Sequence, residues 1–216
     1  TAAVLAGNGH RVHGVDTDAE ALEVINSGKA HLIEPGLDQL VHAGVESGRL
    51  TAYAEPAPAD VFILCVPTPI SEDRRADLSY VISAAEAISP YVKRGDLIIL
   101  ESTSPPGTTE LISRIVCERA GLTPREVFFA HAPERVLPGH ILREIVQNDR
   151  IVGGVDEGST KKAMEFFKTY VQGELVPCDS RMAEMAKLVE NASRDVQIAF
   201  ANELSMVCDD LGIDTR

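Results

Sequence analysis

Short apolar runs alternate along the chain with stretches of helical periodicity. Val61-Phe-Ile-Leu-Cys-Val66, Leu97-Ile-Ile-Leu100, Val127-Phe-Phe-Ala130 and Arg150-Ile-Val-Gly153 are dominated by apolar residues rather than a polar alternation. That is the pattern of strands covered on both faces in a parallel sheet. Arg11–Val15 predicts a further strand that stops at Asp16, and Leu50–Ala54 and Leu175–Val176 predict shorter ones. Helices are predicted over Ala19–Ser27, Leu37–Ser47, Leu78–Ser89, Thr108–Ala120 and Ser159–Tyr170. Strands and helices in turn predict an α/β fold with a doubly wound parallel sheet. Ligands of such sheets sit beyond the carboxyl ends of the strands, so the loops starting at Asp16, Pro67, Ser102 and His131 are expected to face one crevice.

The two ends read differently. Thr1–Asn8 reads as the tail of a helix ending at Gly7-Asn8-Gly9, so the expectation is a Rossmann-type domain without its first strand and glycine-rich turn. In the usual strand order 3-2-1-4-5-6 that strand lies in the middle of the sheet. From Ser180 to Leu211 there is neither Gly nor Pro, and Gly212 closes the stretch. This predicts one long helix leading into a second, mostly helical domain. The boundaries expected are 1–178 for the dinucleotide-binding domain and 179–216 for the opening of the next.

Charge and composition narrow the partners. A net charge of −13 argues against a nucleic-acid groove or an anionic membrane surface, both of which attract a basic face. Cys65, Cys117, Cys178 and Cys208 form no CxxC pair, which predicts a reduced, cytoplasmic chain without a metal site. No apolar run approaches the length of roughly 18–20 residues that a membrane span needs.

Candidate chemistry lies at the strand ends. Asp16, in Gly14-Val-Asp-Thr-Asp18, places a carboxylate where a ribose diol would bind and where the extra phosphate of NADP would be repelled, so NAD is the expected cofactor; the competing reading is a simple helix cap for Ala19 onward. Val66-Pro-Thr-Pro69 and Ser102-Thr-Ser-Pro-Pro-Gly-Thr108 set Thr68 and Thr103 in proline-stiffened loops, which also suit plain turns. In His131-Ala-Pro-Glu-Arg-Val-Leu-Pro-Gly139, Glu134 can handle a proton or a water and Arg135 can grip an anion, against the alternative of an exposed ion pair. Lys187, Asn191 and Arg194 fall at i, i+4 and i+7 on one helical stripe. An ammonium and an amide there can stabilise an oxyanion, and a guanidinium one turn on can bind phosphate or carboxylate; a solvated polar stripe is the alternative.

In this order the motifs resemble those of the UDP-sugar 6-dehydrogenases, which include enzymes acting on UDP-glucose and on UDP-N-acetyl-D-mannosamine. The resemblance rests on Gly14-Val-Asp-Thr-Asp18, Glu34-Pro-Gly36, Val66-Pro-Thr-Pro69, Ala76-Asp-Leu-Ser-Tyr80, Ser102-Thr-Ser-Pro-Pro-Gly107, Pro133-Glu-Arg-Val-Leu-Pro-Gly139 and Lys187-x-x-x-Asn191, and covers nearly the whole chain. The loop ending Val-Leu-Pro-Gly139, followed by Gln147-Asn-Asp-Arg-Ile-Val-Gly-Gly154, is similar to that of the N-acetylmannosamine enzymes.

The resemblance implies a two-step, four-electron, NAD-dependent oxidation of the sugar C6 hydroxyl to a carboxylate, in the synthesis of polysaccharide precursors. By that likeness Asp16, Thr68 and Thr103 contact the cofactor, and Arg135, Val136, Lys187, Asn191 and Arg194 contact the nucleotide sugar. Lys187, Asn191 and Glu134 carry the catalysis, and the central helix forms a homodimer. The family's cysteine nucleophile lies in a glycine-rich motif that none of the four cysteines matches, so Cys208 is assigned to packing and this chain alone is expected to show no turnover. Three alternatives are a UDP-glucose enzyme, a non-catalytic nucleotide-binding or dimerisation module and, well below these, a simpler β-hydroxyacid dehydrogenase.

Overall fold

The computed structural model describes residues 1–215. Its sheet comes in two pieces. Strands β1 (Val12–Val15) and β2 (Leu50–Tyr53) pair in parallel, and β3 (Val61–Leu64), β4 (Leu97–Leu100), β5 (Phe128–His131), β6 (Arg150–Gly154) and β7 (Leu175–Asp179) form a second sheet in that order. Among the described residues β1 and β3 are not paired with each other. The break falls where the sequence expectation puts a further strand.

Eight α-helices lie among the described residues. They are α1 (Ala2–Gly7), α2 (Ala19–Asn26), α3 (Leu37–Glu46), α4 (Ser79–Ile88), α5 (Thr108–Ala120), α6 (Ile141–Gln147), α7 (Glu157–Phe167) and α8 (Ser180–Asp210). All four residues of β4 are buried, which explains its unbroken apolar run. Ile98 and Leu100 face a core shared with Val81 and Ala85 of α4 and Ile112 and Val116 of α5. Leu97 and Ile99 face the opposite core, with Val152 of β6, Ala163 and Phe167 of α7, and Val4 and Leu5 of α1. Helix α1 is two-sided, because Ala3 and Ala6 enter a third, smaller core with Val41 of α3 and Leu50 of β2.

Two features depart from the sequence reading. The sheet is not wholly parallel: β6 runs antiparallel to β5, with Ala130 opposite Gly154 and His131 opposite Gly153. A parallel return needs a crossover that travels the length of the sheet. Here the segment from Ala132 to Asp149 stays at the carboxyl end of β5, so β6 re-enters from that end. The segment also contains α6, absent from the sequence reading, although Ile141, Leu142, Ile145 and Val146 do mark one apolar face. The other helices match within a few residues at their ends; α7 starts earlier than expected because Asp156 caps it, accepting from the Ser159 N–H at 2.7 Å.

Helix α8 is seated against the sheet by its first turns only. Asp179 caps it, accepting from the Met182 N–H at 2.9 Å. A Cβ on Gly153 would lie 2.3 Å from the Asp179 carbonyl oxygen and 2.7 Å from the Ala183 Cβ, so only glycine lets β6 and α8 approach this closely. Arg181 makes a two-pronged bond to Glu110 of α5 at 2.9 and 2.8 Å. From Asn191 through Val207 every residue is exposed. Gly212, at φ +70°, ends the helix as its position in the sequence predicts.

Candidate functional site

The loops at the carboxyl ends of β3, β4 and β5 meet one another. Thr68 Oγ1 donates to the Thr103 carbonyl oxygen at 2.7 Å, joining the two proline-rich loops. Ser102 strengthens the joint: its hydroxyl accepts from the Val66 N–H at 2.8 Å and donates to the Val66 carbonyl at 2.7 Å. Asp16 lies exposed at the end of β1, and one of its oxygens accepts from the Asp18 N–H at 3.0 Å. The cap of α2 is Asp18, which accepts from the Glu20 and Ala21 N–H groups, so Asp16 is not spent as the helix cap. Its remaining oxygen can accept from a ribose diol, the fit that a dinucleotide requires.

Behind these loops lies a buried charge cluster that the motif reading missed. Arg150, at the start of β6, donates from Nη2 to Glu134 Oε2 at 2.7 Å, and its Nη1 is 3.8 Å from Glu101 Oε2. Its guanidinium lies over the Phe167 ring, 4.9 Å from the centroid. Burial pushes the Glu101 carboxyl above its usual range, against the opposing pull of Arg150. Burial and then Glu101 also push the Cys65 thiol well above its ordinary value, although solvent reaches that residue. Cys117 and Cys178 are shifted the same way by burial, so Cys65, Cys117 and Cys178 all lack the thiolate character of a nucleophile. Among the described residues no group of His, Cys, Asp or Glu is placed to hold a metal ion.

A second, more open cluster joins the loop after β5 to α8. Glu190 Oε2 accepts from Arg135 Nε and Oε1 from Arg135 Nη2, both at 3.0 Å. Arg194 Nη2 lies 3.6 Å from the same carboxylate and Lys187 Nζ 3.9 Å. Burial lowers the Lys187 pKa, which Glu190 partly opposes, and the bonds from Arg135 hold the Glu190 carboxyl low. Asn191 is exposed on the same helix, next to Glu190. Val136 is different: its side chain is half-buried and packs against the α7-side core.

Buried carboxylates register these parts. Glu184, fully buried one turn before Lys187, accepts from the Gly107 N–H at 2.6 Å and from the Thr109 N–H and hydroxyl at 2.7 and 2.6 Å. It therefore fixes the helix carrying Lys187 to the loop carrying Thr103. Glu34 accepts from the Gly139 and Ile141 N–H groups, each at 2.8 Å, and so fastens the far end of the loop carrying Arg135. Glu34 and Arg150 stood in quoted motifs, though neither was read as a site residue; Glu101, Glu184 and Glu190 stood in none. Acidic and basic residues inside helical or strand patterns read as surface, and only the fold reveals them as inward-facing.

Fold and site together define a Rossmann-type NAD-binding protein. Residues 1–171 match the NAD-binding domain, and residues 181–216 the central domain, of the UDP-glucose/GDP-mannose dehydrogenase family. The chain belongs to that family. It is 49% identical to an NDP-N-acetyl-D-galactosaminuronic acid dehydrogenase of Ralstonia nicotianae, over 99% of this chain and 52% of that protein. With a UDP-N-acetyl-D-mannosamine dehydrogenase of Yersinia pestis it shares 46% identity, over 99% of this chain and 53% of that protein. Among solved structures it is similar to a UDP-D-ManNAc dehydrogenase from Pyrococcus horikoshii, with a TM-score of 0.94 and 40% identity, over 98% of this chain and 51% of that one. The chain thus spans about half the length of the relatives it matches.

Proposed function

We propose that the protein containing this chain oxidises the C6 hydroxyl of a UDP-sugar to a carboxylate with NAD, its substrate being UDP-N-acetyl-D-mannosamine. The observation that carries this reading is the convergence of Arg135, Lys187 and Arg194 within 4.0 Å of one carboxylate, on a helix registered by Glu184 to the cofactor loop. Bound NAD would supply the hydride acceptor for the oxidation at C6. Asp16 takes the adenosine ribose hydroxyls, and Thr68 and Thr103 line the nicotinamide end. Residues 1–178 form the NAD-binding unit in this reading, and 179–216 begin the substrate unit.

The other roles follow from position. Lys187, its ammonium made more acidic by partial burial, stabilises the developing C6 oxyanion and takes part in proton transfer, with the Asn191 amide beside it. Glu134 is held by Arg150 in an orientation fit to receive a proton or steer a water. Arg135 and Arg194 bind the anionic part of the nucleotide sugar, and the Val136 backbone borders it. The choice of an N-acetylated sugar rests on the 133–139 loop and on the relatives' names.

The exposed Ile198, Phe200, Leu204 and Met206 of α8, at 50–68% exposure, support a homodimer through that helix. Light scattering on the full-length protein tests this, and a strict monomer rules it out. Among the described residues no helix is long and apolar enough to cross a membrane; a cytoplasmic enzyme is the reading proposed. The deciding assay is NADH release by the full-length protein offered UDP-N-acetylmannosamine and UDP-glucose in parallel. Two NADH per molecule of the first, with little from the second, is the expected result. The reverse assigns UDP-glucose, and activity with neither points to another UDP-sugar or a non-catalytic protein.

A further inference from the structure

We propose that Glu190 is a positioning residue that organises the cations of the substrate face, aiming Arg135 and keeping Lys187 charged. The inference rests on the role given above to Lys187 and Arg135. An isolated surface ion pair contributes little, but two-pronged guanidinium contacts and multi-charge networks are the exceptions. Glu190 has both. Its two oxygens are taken by Arg135, while Lys187 and Arg194 stand within ion-pair distance, and only 28% of its side chain is exposed.

Two consequences follow from that geometry. Glu34 fastens the backbone of the Arg135 loop at Gly139 and Ile141, but the Arg135 side chain donates its hydrogen bonds to Glu190. The fork to Glu190 sets the plane of the guanidinium and occupies Nε and Nη2, which leaves Nη1 for an anionic ligand. The second consequence concerns Lys187. It faces Glu190 and Arg194 from its own helix and Glu134 and Arg135 from the loop after β5. Two of these four neighbours are cations that, with burial, favour the neutral amine; Glu190 is the nearer counterweight on α8, only 3.9 Å away. Lys187, Arg135 and Arg194 against Glu190 and Glu134 leave the cluster with one more cation than carboxylates, suited to a diphosphate or a carboxylate.

The test compares wild type, Glu190→Gln and Glu190→Asp in the full-length protein. Lys187 is followed by NMR of its labelled amine in the ligand-free protein, and NADH formation with UDP-N-acetylmannosamine is followed across pH. Loss of the carboxylate is expected to shift the Lys187 titration downward and to move the Lys187-dependent limb of the pH profile to lower pH. It is also expected to lower kcat/KM by about tenfold or more. Glu190→Asp, which keeps the charge, restores both most of the way. A Lys187 titration unchanged in Glu190→Gln, or a loss of activity equal in both variants with no movement of the pH limb, overturns the proposal. Absence of turnover in the wild type would defeat the UDP-N-acetylmannosamine reading alone, since the amine titration still decides what Glu190 does.

Discussion

The buried Glu184 carboxylate accepts two hydrogen bonds from a single residue, Thr109, through its N–H at 2.7 Å and its hydroxyl at 2.6 Å. With the Gly107 N–H on its other oxygen, Glu184 satisfies the first turn of α5 from a different helix. Replacing it with Ala orphans buried donors and opens a cavity, at a cost of about 3–5 kcal/mol. Glu184→Gln keeps one acceptor but turns an amide N–H toward a donor, so a smaller loss is expected. Denaturant unfolding measures both; equal stability of Glu184→Ala and wild type contradicts the account.

Thr68 sets the distance between the loops after β3 and β4. Thr68→Val keeps the shape and removes the donor to Thr103, at about 1 kcal/mol of stability. The expected functional effect is a several-fold weaker hold on NAD with little change for the sugar. Separate titrations with cofactor and sugar nucleotide check this selectivity.

Arg150 bridges two carboxylates. Arg150→Met would leave Glu134 and Glu101 without their cation, costing about 3–5 kcal/mol at neutral pH. The sign of the pH dependence follows from Glu101. Burial already raises the folded-state pKa of Glu101 above its unfolded one and Arg150 opposes that rise, so the variant is relatively most stable below the unfolded pKa and loses ground as pH rises. Thermal melts of variant and wild type from pH 7 down to pH 5 should therefore converge; a gap that stays constant or widens argues that Arg150 acts by packing alone.

His131 gives the wild type an acid sensitivity of its own. It is fully buried, neither ring nitrogen has a partner, and burial lowers its pKa from 6.5 to about 4. The folded-state value lies below the unfolded one, so the stability that the neutral ring provides is complete above pH 6.5 and is lost as pH falls toward 4. At about 1.4 kcal/mol per unit the loss is about 3 kcal/mol. His131→Leu should flatten this part of the stability profile, as read from urea midpoints at pH 7 and pH 5.

Much of the architecture was legible because two-sided burial leaves a plain signature. The run Leu97–Leu100 is apolar throughout because helices cover both faces of β4. The reversal of β6 was not legible, since strand direction depends on which end of the sheet a connection stays at, and no residue pattern encodes that. For the site, Arg135, Lys187 and Arg194 could be picked out as cations in a strand-end loop and along a helical stripe. Glu190 could not, because an acid between basic neighbours on a polar helix face has the pattern of solvated surface. Glu101 and Arg150 were hidden for a related reason: charges at strand ends read as boundaries, and their burial depends on elements distant in sequence.

Helix α1 serves two cores with six residues, Val4 and Leu5 on one and Ala3 and Ala6 on the other. Among the described residues the pair β1–β2 shares no ladder with the larger sheet, and α1 packs against both. Asp16 rides on that pair. A substitution in α1 that touches no ligand is therefore expected to weaken the hold on the cofactor by shifting Asp16.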